Sequence, residues 1–340
     1  MKRNSTGEGA GGTRGRSPSI RDVATRAGVS IASVSRVMNE GSGRVSPQTR
    51  QKVVSAVEAL NYNTNHIGRA LRVQSTNTYA LILSNIQNNF YAAVAWELER
   101  LLSERGRAFL LYTSNESAEI QDRCLEDILH RQVSGIFVLC AVQSRRLQDV
   151  VENQPVVFIN RRIRSLSGAS FVGIDDQAAA RDLAEVAIRR RGGPVAIISG
   201  PLSSDTSARR LHGMLEACAR LKQPILDEHR REAKLSMESG YAAAVSLFGV
   251  TAFSAILCGN DQIAYGVYRR CRELGIAVPG DVSIYGFDDN PLNEWLAIWL
   301  NTVRVPHLDF ARAAVSEMDQ LQAGGLAHEI IMPYQLLLRA

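Results

Sequence analysis

The 340-residue sequence contains no apolar run of the ~18 residues that a membrane-spanning helix needs, and its opening MKRNSTGEGAGGTRGRSP lacks the apolar centre of a secretion signal. Neither export nor a membrane partner is expected. Cysteine is sparse and unpatterned: Cys124, Cys140, Cys218, Cys258 and Cys271 are five, an odd number, with no C-x-x-C pair and no histidine at ligand spacing. This argues against a disulfide framework or a zinc site and predicts buried thiols in a reducing, cytoplasmic compartment. Catalytic signatures are missing too. There is no G-x-x-x-x-G-K-[ST] loop and no G-x-S-x-G elbow, and His66, His130, His212, His307 and His328 are scattered. No enzyme, metal or cofactor is expected.

What is present is an ordinary folded composition, 45% hydrophobic and 21% charged, with an uneven charge distribution. Residues 1–72 hold twelve Lys/Arg against four Asp/Glu, a net of +8, and the remainder carries −3. A small basic module joined to a large, mildly acidic one has a footprint for phosphates on the small module only. Residues 1–17 are Gly/Ser/Arg-rich and read as a disordered, solubilising tail.

Residues 18–63 are patterned. Ser19 caps a helix over Ile20–Ala27 that Gly28 ends, and Ser30 caps a second over Ile31–Met38. Ser46-Pro47 opens a third, with Val53, Val54, Val57 and Leu60 as its apolar stripe. Val23, Ala24, Val29, Val34 and Val37 can bury against one another across the tight Gly turn, which makes a helix-turn-helix. In that geometry the second helix enters the major groove. It opens with Ile31 and Ala32, small apolar side chains suited to a thymine methyl, while Ser33, Ser35 and Arg36 supply hydrogen bonds to phosphates and bases. Ser30 and Asn39, at either end of this helix, complete the headpiece candidates.

The segment DVATRAGVSIASVSRVMN, then RVSPQTRQKVVSAVEALNYNTNHIGRALR, resembles the DNA-binding headpiece and hinge of the lactose/galactose repressor family. SGIFVL, FVGIDD, GNDQIAYGVYRRCRELGIAVPGDVSIYGFDD and LNTVRVP continue the likeness in order. The resemblance implies a ligand-controlled repressor that binds a palindromic operator as a homodimer. It also implies a hinge helix and linker over residues 64–77, with Arg69 on DNA and Leu71 as an apolar wedge in the minor groove. The hinge reads Gly68 where the family usually has alanine.

From residue 78 to 340, apolar β-rich runs alternate with helical patterns in two series. YALILS, AFLLYT, SGIFVLC and PVVFIN form the first, and PVAIIS, AILCG and VSIYGF the second. This predicts an α/β core of two parallel-sheet lobes, with a ligand cleft at the carboxyl ends of the strands. The resemblance, to a core similar to periplasmic sugar-binding proteins, implies crossings between lobes near Asn160, Asn290 and Gly324.

Strand-end residues are the effector candidates: Asn88, Phe90, Tyr91, Asn160, Arg161, Arg210 at the start of the RLHG turn, Leu235, Asn260 and Asp288. Asp261 is expected to cap the following helix. Arg210 and Asp288 match effector-binding positions of the family. The family's Asp-x-x-Asn-Pro-Phe stands here as Asn85-Ile-Gln-Asn88-Asn89-Phe90, its Ile-Asp-Arg as Ile159-Asn160-Arg161, its common Gln as Val305, and Leu235 replaces a frequent aromatic. Carboxylates are lost while Arg161, Arg162 and Arg210 remain. That favours an anionic ligand, and the effector is expected to be a sugar, sugar acid or sugar phosphate, the anionic kinds ahead. A sugar-processing enzyme and a ligand-independent architectural DNA-binding protein are the alternatives.

Overall fold

The computed structural model describes residues 18–38, 45–60, 62, 76–249 and 252–339, and the chain divides into two compact units between Gln74 and Ser75. The tail, Asn39, Gly68, Arg69 and Leu71 lie outside the described residues.

The first unit holds α1 (Ile20–Ala27), α2 (Ile31–Met38) and α3 (Pro47–Ala59). A reciprocal cap starts α1: the Ser19 hydroxyl accepts from the Asp22 amide, and the Asp22 carboxylate accepts from the Ser19 amide at 2.7 Å. Gly28, at φ 64°, ends it in the left-handed conformation that glycine adopts without strain. Ser46 caps α3 by accepting from the Thr49 amide at 3.2 Å, with Pro47 in the first turn. Val23, Ala24, Ala27, Val34, Val37, Val53 and Ala56 form the core. Val54, expected in the apolar stripe, is 44% exposed: with Val53 inward, the residue three positions on, Ala56, shares its face and Val54 turns away.

The second unit contains two parallel sheets. β1 (Thr78–Leu83), α4 (Asn89–Ser103), β2 (Ala108–Thr113), α5 (Ala118–His130), β3 (Gly135–Leu139), α6 (Arg145–Asn153), β4 (Val156–Ile159) and β5 (Ser170–Ile174) build the first lobe. The chain continues through α7 (Asp176–Arg191), β6 (Val195–Ser199), α8 (Asp205–Arg220), β7 (Arg230–Glu232), α9 (Met237–Leu247), β8 (Ala255–Cys258), α10 (Asp261–Glu273), β9 (Ser283–Tyr285), α11 (Asn293–Leu296) and β10 (Thr302–Arg304). It ends with α12 (His307–Gln322), β11 (Glu329–Met332) and β12 (Gln335–Leu337). Strand order is β11-β5-β4-β3-β1-β2 in one sheet and β7-β6-β8-β9 in the other, with β10 and β12 as a short antiparallel pair. The central strands are buried along their length, as sheets covered by helices on both faces require.

The crossings differ from expectation. β5 pairs with β4, so the first crossing follows Ile174 and not Asn160. Asn290 is still in the second lobe, where its amide donates to Asp261, and the chain returns at Val305-Pro306 into α12, which packs on α4, β4 and β5. Gly324 only ends α12; β11 then joins the first sheet beside β5, and the last crossing runs through Pro333 to β12. A fifth strand and a returning helix-strand unit in the first lobe displace all three crossings toward the C-terminus.

Candidate DNA-reading helix and ligand cleft

In α2, Val34 and Val37 face the core while Ile31 (45% exposed), Ala32 and Arg36 face outward. Ser30 and Ser33 are engaged with each other: the Ser30 hydroxyl accepts from the Ser33 amide at 3.1 Å and lies 3.0 Å from its hydroxyl. Ser35 is half-buried. The helix therefore presents two small apolar side chains at its exposed start, beside a cation.

Between the lobes lies a cleft of about 740 Å³, walled by Ser84, Tyr91 and Glu116 on one side and by Pro201, Leu235 and Ser239 on the other. Asn88 caps α4, accepting from the Phe90 amide at 3.0 Å, and thereby sets Tyr91 in the first turn facing the cleft. Phe90 is fully buried in the core, edge-on to Tyr91 and His307, and does not line this cleft. Burial pushes the Tyr91 phenol well up, and the Cys140 thiol adds to the rise. Around that thiol, Asn160 Nδ2 lies 3.7 Å from Cys140 Sγ, and Arg161 donates to the Cys140 carbonyl at 3.2 Å and to Glu116 at 3.0 Å. Asn160 and Cys140 both have positive φ, 64° and 67°, strain of the kind that gathers at binding sites.

From the second lobe comes Arg210, which lies inside α8 and not in a turn. Its Nε donates to Asp176 at 2.8 Å, and its Nη1 donates to Asp288 at 3.2 Å and to the Gly259 carbonyl at 2.9 Å. The guanidinium sits 3.6 Å from the Phe287 ring centroid. Burial pushes Asp288 up to about 6, against the opposing pull of Arg210, and raises Asp176 by the same cause. Asn260 is the cap of α10, accepting from the Ile263 amide at 3.0 Å. Asp261, expected as that cap, instead accepts from the Asn290 amide, Asn293 Nδ2 and the Thr302 hydroxyl at 2.8, 2.7 and 2.7 Å. It pins the segment that follows β9, and burial pushes it up to about 7.

Four buried polar atoms of the candidate set, Asn88 Nδ2, Asn160 Oδ1, Arg161 Nε and Asn260 Nδ2, have no partner among the described residues. Such atoms cost free energy unless something bonds them. No cluster of three metal-ligating side chains occurs among the described residues.

A model of the bacterial regulatory proteins of the lacI family matches residues 19–65, and a periplasmic binding protein-like domain matches residues 170–340. The chain is 30% identical over 310 residues to the HTH-type transcriptional regulator AscG of Escherichia coli (strain K12), covering 89% of this chain and 92% of that protein. The chain belongs to the lacI family. Catabolite control protein A of Priestia megaterium is a further relative, 30% identical over 87% of this chain and 90% of its own length. Among solved structures, the transcriptional regulator CelR in complex with cellobiose superposes with a TM-score of 0.71 at 26% identity, over 95% of this chain and 99% of that one. The lac repressor dimer bound to operator and the anti-inducer ONPF superposes at 0.84, over 95% and 98%, with 24% identity, and shows the shared fold.

For this lacI-family chain, the structure removes the premise of unmatched cations. Arg161 is paired with Glu116, Arg162 with Glu329 on β11, and Arg210 with both Asp176 and Asp288. The sequence reading overlooked Glu116, Asp176 and Cys140. Asp176 carried a signal, a second acid directly after the FVGI run, but Glu116 and Cys140 carried none, since each acts on a partner twenty or more residues away.

Proposed function

We propose that this chain is a transcriptional repressor that binds a palindromic operator as a homodimer in the cytoplasm, on the nucleoid, and that a small neutral carbohydrate in the inter-lobe cleft controls it. The supporting observation is a set of buried polar atoms without partners among the described residues, on Asn88, Asn160, Arg161 and Asn260; none of the four residues lines the cleft itself, but Arg161 is paired with Glu116 and Asn88 is bonded to Asn85, and both of those partners do. Sugar hydroxyls both donate and accept, so they can meet an amide N–H, an amide oxygen and a guanidinium N–H together. Arg161 and Arg210 already have carboxylates and so do not call for an anionic ligand, which leaves Lys234 as the cleft-lining cation without an ion-pair partner among the described residues. The sugar complex of CelR points the same way.

In this reading residues 1–17 are a tail, 18–63 read the operator, 64–77 form the hinge and 78–340 bind effector and partner. Ile31 and Ala32 touch base edges, Arg36 a base or phosphate, and Leu71 kinks the operator when the hinges pair. Selection of operator DNA followed by titration with neutral mono- and disaccharides, and with the matching sugar acids, tests it. A neutral sugar is expected to change operator affinity. Operator binding indifferent to every sugar would leave a ligand-independent DNA-binding protein, and turnover of a sugar would leave an enzyme.

A further inference from the structure

A second cavity, of about 500 Å³, shares no wall with the inter-lobe cleft. Two of the three crossings run through its lining, at Val305 to His307 and at Pro333 to Gln335. Asp289 lies in its wall with both oxygens occupied, by Arg304 Nε at 2.7 Å and Arg339 at 2.8 Å. What remains unmet is specific. The Asn290 side chain is 2% exposed, its oxygen accepts from the Leu292 amide, and its Nδ2 has no partner among the described residues. The terminal nitrogens of Arg304, a half-exposed side chain, likewise carry no hydrogen bond among the described residues. The first turn of α12 lines the same space, where the positive end of a sixteen-residue helix favours an anion and the Asp309 carboxylate of that turn is offset by its pair with Arg312 at 3.0 Å. Burial lowers the His307 imidazole, so this ring adds no charge at neutral pH. Glu294 lines the cavity too and has no ion-pair partner among the described residues. Pro291, Pro306 and Pro333 supply the apolar wall.

We propose that this cavity is a second ligand site that takes a small carboxylate with a hydrogen-bond donor at its far end, an amino acid or a hydroxy acid. The carboxylate meets Asn290 Nδ2, the free Arg304 nitrogens and the start of α12, and the far donor meets Glu294. The inference is independent of what the inter-lobe cleft binds. Its consequence for the cleft follows from two consecutive residues in the left-handed region: Asp288 at φ 107° sends its carboxylate to Arg210, while Asp289 at φ 49° sends its own to Arg304. A ligand that draws Arg304 off Asp289 acts one peptide away from Asp288.

Calorimetric titration of the full-length protein with glycine, L-serine, L-glutamate, L-lactate and L-malate tests the site. Saturable binding of an amino acid or a hydroxy acid is expected, and Arg304→Gln is expected to weaken it by about tenfold or more. Asn290→Asp keeps the oxygen that the Leu292 amide needs and removes the free donor, so it should weaken binding as well. Glu294→Gln, at an exposed position, separates the two ligand types: amino acids lose affinity while hydroxy acids keep it. No binding by any probe would overturn the proposal. So would wild-type affinity in both Arg304→Gln and Asn290→Asp, or binding that survives these changes and is lost in the cleft variant Leu235→Ala.

Discussion

Arg210 is 4% exposed and spends Nε and Nη1 on two carboxylates and a carbonyl, which leaves Nη2 as its nitrogen for a ligand. Its first task is to neutralise Asp176 and Asp288. Arg210→Met should therefore do more than blunt a ligand response: with both acids buried and uncompensated, the core is expected to lose about 3–5 kcal/mol at pH 7. The loss should shrink near pH 5, because both acids already titrate high and protonate more readily without the cation. Urea unfolding at the two pH values checks this; an equal loss at both would show that packing on Phe287, not charge, is what Arg210 supplies. Asp261 gives a second residue-level prediction. Its folded value is raised from 3.8 to about 7, so the folded state holds its proton more tightly than the unfolded chain does. That contribution is fully present below about pH 4 and is lost as pH rises through about 7, a change of a few kcal/mol. Asp261→Asn retains an oxygen for the Asn290 and Asn293 donors and offers its amide to Thr302. It should flatten the stability profile between pH 4 and 7 and raise stability at pH 8, as followed by thermal unfolding across that range.

Elements show which information is local. The starts of the three headpiece helices and the end of the first were readable because each is set by a neighbour: Ser19 and Asp22, Gly28, Ser30, Ser46 and Pro47. The buried parallel strands were readable as apolar runs. Their lobe membership was not, because pairing of β5 with β4 and of β11 with β5 is decided by the whole sheet. Charge partners were hidden for the same reason, with Glu116 lying 45 residues from Arg161 and Asp288 lying 78 residues from Arg210. One packing contact links these levels. α7 and α8 pass so closely that a Cβ on Gly213 would lie 2.1 Å from the Gln177 carbonyl oxygen, a backbone atom that cannot move aside alone. Asp176 opens α7, and Arg210 lies one turn before Gly213 on α8. Gly213→Ala should force the helices apart at a cost of about 1–3 kcal/mol and lengthen the Arg210–Asp176 pair. Chemical denaturation, read beside the Arg210→Met variant, tests it. A wild-type midpoint would mean that the helices yield without strain.

For the whole molecule, charge is divided so that its two tasks respond differently to salt. The net +8 lies in residues 1–72 and the net −3 in the rest, so phosphate attraction belongs to the headpiece, while the candidate cleft has its arginines paired internally. Operator affinity should therefore fall by roughly 10³ to 10⁵ between 50 and 200 mM salt if a dimer makes six to ten phosphate contacts, because each neutralised phosphate releases counterions. Sugar affinity should barely change over the same range. The slope also decides what Arg36 does. If it contacts phosphate, Arg36→Ala weakens all sequences alike and lowers the slope by about one for each headpiece, about two for a dimer. If it contacts a base edge, the variant loses about 1–3 kcal/mol on the preferred operator, relaxes specificity at one position and leaves the slope nearly unchanged. Fluorescence anisotropy on the selected operator and on a scrambled duplex, at several salt concentrations, separates the two. An operator affinity that does not vary with salt, or an Arg36→Ala variant identical to wild type on both duplexes, would remove α2 from the DNA interface.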